Sequence, residues 1–347
     1  SRKAGTFSLL GFFERRARRI LPALVLVCAA TTVASAAVMD PLQLTRYFES
    51  LSFTFLFSSN FYFLFQSGYF DTASELKPLL HTWSLGVEEQ YYLLFPFLFL
   101  VVMRLRSGPA LSIALLLTIA SLVSAQVLIA LDQLNEAFYL LPTRLWQIML
   151  GALCAILVRN AKVEKLPVFA RQVLSASGLL MIAVAVAVFN NNTPSPGPHA
   201  LIPTVGASLV LLFSSPGTVC GKILGFRPFV FVGLVSYSAY LWHQPVFALS
   251  RLHLGEEPTS FAMLALCALV ILLSYFSWKF VEAPCRRDRR EPALRLPQRG
   301  ATGRRHPRLG VCRDRRHQRA HGNRRAAPLP LDRRHAGGPC PRRPEVP

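Results

Sequence analysis

KPLLHTWSLGVEEQYYLLFPFLFL (77–100) moves from a polar, aromatic approach into an apolar run, and the architecture of the whole chain follows from how this stretch is read. Glu88 and Glu89 are adjacent, Tyr91 and Tyr92 follow, and no polar residue occurs from Leu93 to Met103. A membrane-crossing helix needs about 20 mostly apolar residues. The segment 86–103 reaches that length only if its two acids enter the membrane with it. On a helix Ser84, Glu88 and Tyr92 share one face, while Leu85 lies over Glu89. Adjacent carboxylates cannot both face lipid, so at least one meets protein or a wet cavity. The bland alternative is an interfacial belt, but a belt needs Trp and Tyr rather than a Glu-Glu pair.

The same pattern recurs along the chain. Apolar stretches lie at 20–39, 48–66, 86–103, 109–131, 143–158, 172–189, 200–213, 229–249 and 259–281, with short polar or turn-rich connections. The 347 residues are 52% hydrophobic and 16% charged, with a mean hydropathy of +0.37. Soluble domains carry about 25% charged residues, so this composition excludes an ordinary soluble enzyme and also a disordered protein. The predicted fold class is all-α, a polytopic membrane helical bundle.

Positive charge marks the cytoplasmic side. ERRARR (14–19), Arg104 with Arg106, the cluster from Arg159 to Arg171, Lys222 with Arg227, and Lys279 with the arginines from 286 should all face the cytoplasm. Nine alternating spans cannot satisfy this. The conflict vanishes if 48–66, which carries Ser58, Ser59 and Asn60 at its centre, is re-entrant or interfacial. That leaves about eight full spans plus one re-entrant or interfacial helical element; the competing reading is a plain ninth span with a weak charge bias elsewhere. Broken backbone at membrane depth survives only under protein or beside a water-filled cavity, so such an element is expected to wall a site.

The predicted membrane domain is 1–285. Residues 286–347 change character: 19 Arg against 5 acidic residues, 9 Pro, and no Phe, Trp or Tyr. Such a composition cannot bury enough apolar surface to fold, and we expect an Arg/Pro-rich disordered tail. It suits anionic lipid headgroups, and it is also what a GC-rich coding sequence yields out of frame. A nucleic-acid partner is not expected. The seven cysteines show no CxxC pair and no His-linked metal spacing, so neither disulfides nor a metal site is predicted.

Ionisable groups inside spans cost roughly 3 kcal/mol or more each, which makes them functional candidates. In FFERRARRILPAL (12–24), Arg15, Arg16, Arg18 and Arg19 stand at helical spacing and could clamp a phosphate, or simply anchor the topology. In the 77–100 stretch, His81 suits general acid/base chemistry, with Glu88 and Glu89 for orientation or charge balance and Trp83, Tyr91 and Tyr92 beside them. Arg144 and Gln147 lie one turn apart on an otherwise apolar helix in PTRLWQIMLGAL (142–153), where snorkelling is the plain alternative. In VGLVSYSAYLWHQPV (232–246), Ser236, Tyr237, Tyr240, His243 and Gln244 form a polar stripe that suggests a lined cavity, though a satisfied core histidine is common. No GxSxG elbow, phosphate loop, GxGxxG or HExxH occurs. The residues alone thus describe a polytopic membrane protein with basic, His and carboxylate groups gathered inside, either an enzyme or a transporter.

These segments, in this order, resemble the acyltransferase-3 family of membrane O-acyltransferases. The resemblance covers about 12–287 and rests on FFERRARRILPAL, on NFYFLFQSGYFD (60–71) followed by PLLHTWSLGVEEQYYLLFP, and on RLWQIMLGAL, GLVSYSAYLWHQPV and SWKFVEAPCRR (277–287). The QSGYFD and LLHTWSL wording is similar to the subgroup acting on bacterial surface polysaccharides, such as lipopolysaccharide. The resemblance implies a ten-span core in the bacterial cytoplasmic membrane. Acyl-CoA is then the co-substrate, no cofactor is bound, and an acyl group, often acetyl, passes to a hydroxyl of a glycan or glycolipid. It implies catalytic roles for His81, Glu88, Glu89 and His243 and acyl-CoA binding by Arg15, Arg16, Arg18 and Arg19. Trp83, Tyr91, Tyr92, Arg144, Trp146, Ser236, Tyr237 and Tyr240 are expected to line the pocket. Eight spans are two short of that core, so two spans carrying the family's proposed catalytic His are expected upstream of Ser1. A transporter or flippase, or an inactive truncated product, is the alternative.

Overall fold

The computed structural model describes residues 8–66, 73–104, 107–159, 166–190, 193, 196–255 and 258–286. They fold as helices and turns, with no strand among the described residues. The helices are α1 (Leu9–Val38), α2 (Pro41–Phe55), α3 (Ser59–Phe65), α4 (Thr82–Arg104), α5 (Ser107–Ala130), α6 (Leu134–Tyr139), α7 (Leu141–Arg159), α8 (Val168–Val188), α9 (Leu201–Phe213), α10 (Val219–Leu224), α11 (Arg227–Leu254), α12 (Ser260–Ser277) and α13 (Ala283–Arg286). A π turn, Trp278–Glu282, joins the last two. The Arg/Pro-rich segment from 287 lies outside the described residues, as does the QSGYFD stretch after Gln66.

Five helices among the described residues are long and apolar enough to cross a membrane by length and composition: Leu9–Val38, Leu111–Ala130, Leu134–Val158, Val168–Val188 and Ser260–Arg286. Two more, α4 and α11, are 23 and 28 residues long and carry the polar groups of the candidate site. The stretch expected at 200–213 is shorter than the rest, since α9 has 13 residues. Large apolar side chains face outward, including Phe169, Val186 and Phe261. Contiguous exposed apolar surface of this kind marks an interaction or membrane face. The chain is therefore an all-α membrane bundle.

The 48–66 stretch does not form one helix. Phe57 takes a left-handed φ of 52° and separates α2 from α3. The adjoining Ser58, Ser59 and Asn60 are residues whose side chains compete with helical backbone bonding. The freed groups are covered by α4. Gln90 Nε2 donates to the Phe57 carbonyl at 3.1 Å and to Asn60 Oδ1 at 2.9 Å, and Asn60 Nδ2 donates to the Tyr139 carbonyl at 3.1 Å. Gly86 permits the approach, because a Cβ there would stand 3.1 Å from both the Phe57 carbonyl and Asn60 Oδ1. The chain then turns back: the Tyr62 hydroxyl donates to the Arg46 carbonyl at 3.0 Å and to Glu49 Oε2 at 3.1 Å. Gln43 and Gln66 line one common cavity. Helices α2 and α3 thus make an unequal hairpin whose two ends meet at the same end of the bundle, the geometry of a re-entrant element.

The main apolar core holds the site helices together. Ile20, Ala23, Leu24, Val27 and Cys28 of α1 pack with Leu241 and Trp242 of α11, Val270 of α12, Tyr47 of α2, and Leu79 and Leu85 at the start of α4. Trp242 Nε1 donates to Ser277 Oγ at 2.7 Å, tying α11 to α12. Elsewhere α8 and α9 touch backbone to backbone. A Cβ on Gly178 would stand 2.6 Å from the Gly206 carbonyl, and one on Gly206 would stand 2.7 Å from that of Gly178. Membrane helices use small residues for such contact.

Candidate active site

Helices α1, α4 and α11 bring their polar residues to one column. At its lower end Arg16 donates through Nε and Nη2 to Glu89 Oε1 at 2.9 and 2.8 Å. The guanidinium lies over the Tyr92 ring, 2.9 Å from its centroid. Both charged side chains keep only about 15% of their surface, 16% for Arg16 and 15% for Glu89. Glu88 remains open, and Arg16 and Arg19 lie near enough to act electrostatically on its carboxyl.

Higher in the column Tyr240 joins α4 to α11. Its hydroxyl is 2.7 Å from Ser84 Oγ and also donates to the His81 carbonyl. The His81 ring is buried, edge-on to Tyr240 and to His243 with centroids 5.1 and 5.3 Å apart. The His81 ring nitrogens are shielded from solvent beside the Pro78 backbone. His243 Nδ1 is 2.7 Å from the Tyr240 carbonyl, one turn back on its own helix. Tyr237 donates to the Ile20 carbonyl at 3.0 Å and fastens α11 to α1. Hydrogen bonds and ring contacts therefore bring His81, Ser84, Tyr240 and His243 together, and Glu88 follows Ser84 by one helical turn.

Several residues expected at the pocket stand elsewhere. Arg18 pairs with Glu14 at 2.7 Å on the exposed face of α1, and Arg15 and Arg19 are also exposed, so Arg16 alone of the four is half-buried. Helical geometry explains the split: at 100° per residue Arg18 points about 160° away from Arg16, whereas Arg19 lies within about 60° of it. Tyr91 faces a second core with Ala114, Met149 and Leu153. Trp146 is fully buried in the contact between α5 and α7, its backbone N–H donating to Ser121 Oγ at 2.9 Å. Ser236 is exposed and donates to the Gly233 carbonyl of its own helix. Arg144 and Trp83 do meet, but in a separate aromatic box. The guanidinium carbon stands 4.9 Å from the Trp83 ring centroid and 4.3 Å from that of Phe138, and Nε donates to the Phe138 carbonyl at 2.8 Å.

The structure also adds residues the sequence did not single out. Glu282 is fully buried at the π turn, accepting from Ser238 Oγ at 2.9 Å and pairing with Arg286 at 2.5 Å. Short π segments are frequent at functional sites. A signal was present, since an acid lay at the end of an apolar stretch, but its distant partners were not legible. No group of three or more His, Cys, Asp or Glu able to hold a metal ion occurs among the described residues.

An acyltransferase-domain family model matches residues 2–279. The chain belongs to the acyltransferase-3 family. It is 29% identical over 289 residues to YrhL of Bacillus subtilis, covering 79% of this chain and 45% of the relative. It is 26% identical over 297 residues to the peptidoglycan O-acetyltransferase OatA of Listeria monocytogenes, covering 82% and 48%. It is also 26% identical over 292 residues to O-acetyltransferase OatA of Staphylococcus aureus, covering 80% and 48%. The chain thus spans about half the length of the curated relatives it matches. No solved structure matches it. Family membership and fold agree on a helical membrane protein of this family.

Proposed function

We propose that this chain forms the membrane part of an O-acetyltransferase that moves an acetyl group from acetyl-CoA to a hydroxyl of a cell-surface glycan. The single observation that carries this reading is the column itself, in which the inward arginine of α1 leads through Glu89 and Glu88 to Tyr240, His81 and His243. A transporter would use similar groups, but the family is one of acyltransferases. The acceptor in the name of the Listeria relative, peptidoglycan, supports a glycan as the second substrate.

In this reading Arg19 and Arg16 receive the CoA phosphates. Arg16 offers five N–H donors, two of which are engaged by Glu89, and that bond orients the rest. Glu89 and Tyr92 are positioning residues. The acceptor oxygen attacks the thioester carbonyl, the C–S bond breaks, and the CoA sulfur leaves and takes up a proton. An imidazole takes the hydroxyl proton, and general base catalysis of this type contributes about 100- to 10,000-fold. Within the described residues the imidazoles of the column are His81 and His243, both beside Tyr240. The family's proposed base, an upstream histidine, would join them in a longer protein. Residues 1–285 are the proposed membrane domain.

The test uses membranes carrying the protein, acetyl-labelled CoA and peptidoglycan fragments. Free CoA together with labelled glycan is expected. Movement of substrate across the membrane without acyl transfer would assign the column to transport instead. Arg19→Ala should weaken acetyl-CoA binding at unchanged membrane level, and unaltered binding would leave the arginines as topology anchors.

A further inference from the structure

A groove runs along α8 beside α10, built from residues that the column does not use. Gln172, Ala176, Leu180 and Ala183 of α8 and Val219 and Ile223 of α10 are among those that line it, and its empty space, mouth included, is about 600 Å³. Gln172 Oε1 accepts the Val219 backbone N–H at 2.8 Å, which holds α10 across the start of α8. From Gln172 to Ala183 the groove follows α8 for about 16 Å, at 1.5 Å per residue. One leaflet's share of the hydrocarbon core is about 15 Å. Beyond Gln172 the walls are apolar and open to the outside, since Leu180 is 64% and Val219 55% exposed. The groove thus has the length and chemistry of one lipid acyl chain.

Positive charge flanks its polar end. Arg171 is the neighbour of Gln172 on α8, and Lys222 lies within about 60° of Val219 around α10. Arg171 Nε is shielded from solvent and has no hydrogen-bond partner among the described residues, while Lys222 is exposed. No Asp or Glu occurs between Glu164 and Glu256, so α8, α9, α10 and α11 supply no counter-charge of their own. By the charge rule this end of the groove is cytoplasmic, at the level of the inner headgroups. Two cations from two elements at the mouth of an acyl-length groove fit the phosphodiester of a negatively charged lipid. A zwitterionic headgroup fits less well, because its own ammonium meets the same cations.

The platform that carries Lys222 is firmly built. Thr218 Oγ1 accepts the Gly221 N–H at 3.1 Å and caps α10, and Gly221 sits so close to the Ser215 carbonyl that a Cβ there would clash. After Gly225 and Phe226 the chain enters α11, the helix of Tyr240 and His243. A lipid that holds α10 to α8 therefore also steadies the cytoplasmic end of α11.

We infer that α8 and α10 form a binding site for an anionic phospholipid of the inner leaflet, with an acyl chain in the groove and the phosphate at Arg171 and Lys222. The inference does not depend on the O-acetyltransferase reading. The probe is phosphatidylglycerol with a photoreactive diazirine in one acyl chain, and the matching phosphatidylcholine is its control. Each is placed at low fraction in phosphatidylcholine nanodiscs that hold the full chain, and cross-linked peptides are mapped by mass spectrometry. Labelling in the groove is referred to labelling at Leu116, an exposed residue of α5. Phosphatidylglycerol should label 176–183 and Ile223 about 25-fold more than phosphatidylcholine, about fivefold for each cation. Arg171→Gln and Lys222→Gln should each cut phosphatidylglycerol labelling about fivefold and leave phosphatidylcholine unchanged. Ala176→Phe fills the groove and should reduce labelling by both probes.

Equal groove labelling by the two probes overturns the inference, as do cation variants labelled like the unaltered protein or unchanged labelling in Ala176→Phe. Labelling lost to an equal concentration of soluble glycerophosphoglycerol makes this a free-phosphate site and also overturns it. So do cross-links between two copies of the chain through α8 with no lipid labelling, which make the groove a subunit contact. If a variant fails to fold, the ratio of the two probes on the unaltered protein decides the question.

Discussion

Replacing Glu89 by Leu strands the Arg16 guanidinium, which keeps 16% of its surface and donates two hydrogen bonds to that one carboxylate oxygen. Removing one partner of a buried ion pair costs about 3–5 kcal/mol, because the remaining charge is left uncompensated. An exposed pair would contribute about 1 kcal/mol or less. The neighbouring pair Arg18–Glu14 is a control in the same helix, since its side chains are 49% and 57% exposed. The cycle therefore compares Arg16→Met, Glu89→Leu and the double variant with Arg18→Met, Glu14→Leu and their double variant. Thermal unfolding in detergent is followed with a thiol-reactive dye, which reports the buried Cys28, Cys154 and Cys220 as they become accessible. Each single change at the inner pair should lower the midpoint by roughly 6–20 °C if 1 kcal/mol corresponds to about 2–4 °C at this size. The double variant should recover most of the loss, while the outer pair should shift little in any combination. Additive effects at the inner pair, with coupling below about 0.5 kcal/mol, would refute the claim that Arg16 and Glu89 form one desolvated unit.

Three further outcomes follow from particular contacts. Tyr240→Phe removes the hydroxyl that meets Ser84 and the His81 carbonyl, so acetyl transfer should fall while the amount of folded protein in the membrane changes little; equal losses in both would make Tyr240 merely structural. Gln90→Leu uncovers the Phe57 carbonyl and Asn60, and should destabilise by about 1–3 kcal/mol, read in the same thermal assay. Gly206→Val puts a branched side chain where even a Cβ meets the Gly178 carbonyl at 2.7 Å, so α8 and α9 should separate, with a stability loss of about 1–3 kcal/mol or more; an unchanged midpoint would show that the two helices part freely.

The membrane character of this chain was written in its composition and in the recurrence of long apolar stretches, because both depend on residue type alone. The break in 48–66 was also legible. Ser58, Ser59 and Asn60 weaken a helix locally, and the helix does break there, at Phe57. The adjacency of Glu88 and Glu89 announced a protein-facing acid without saying which one. Tertiary structure alone decided that Glu89 meets Arg16, because the pairing depends on the rotation of two helices 73 residues apart in sequence. It separated Arg16 from Arg18 for the same reason, sent Tyr91 and Trp146 to other contacts, and brought His81 beside His243. It also supplied Gln90 as the cover for Phe57 and the cavity between α2, α3 and Lys77. Residue type sets what a side chain can do, whereas helix packing sets which partners are close enough for it to act.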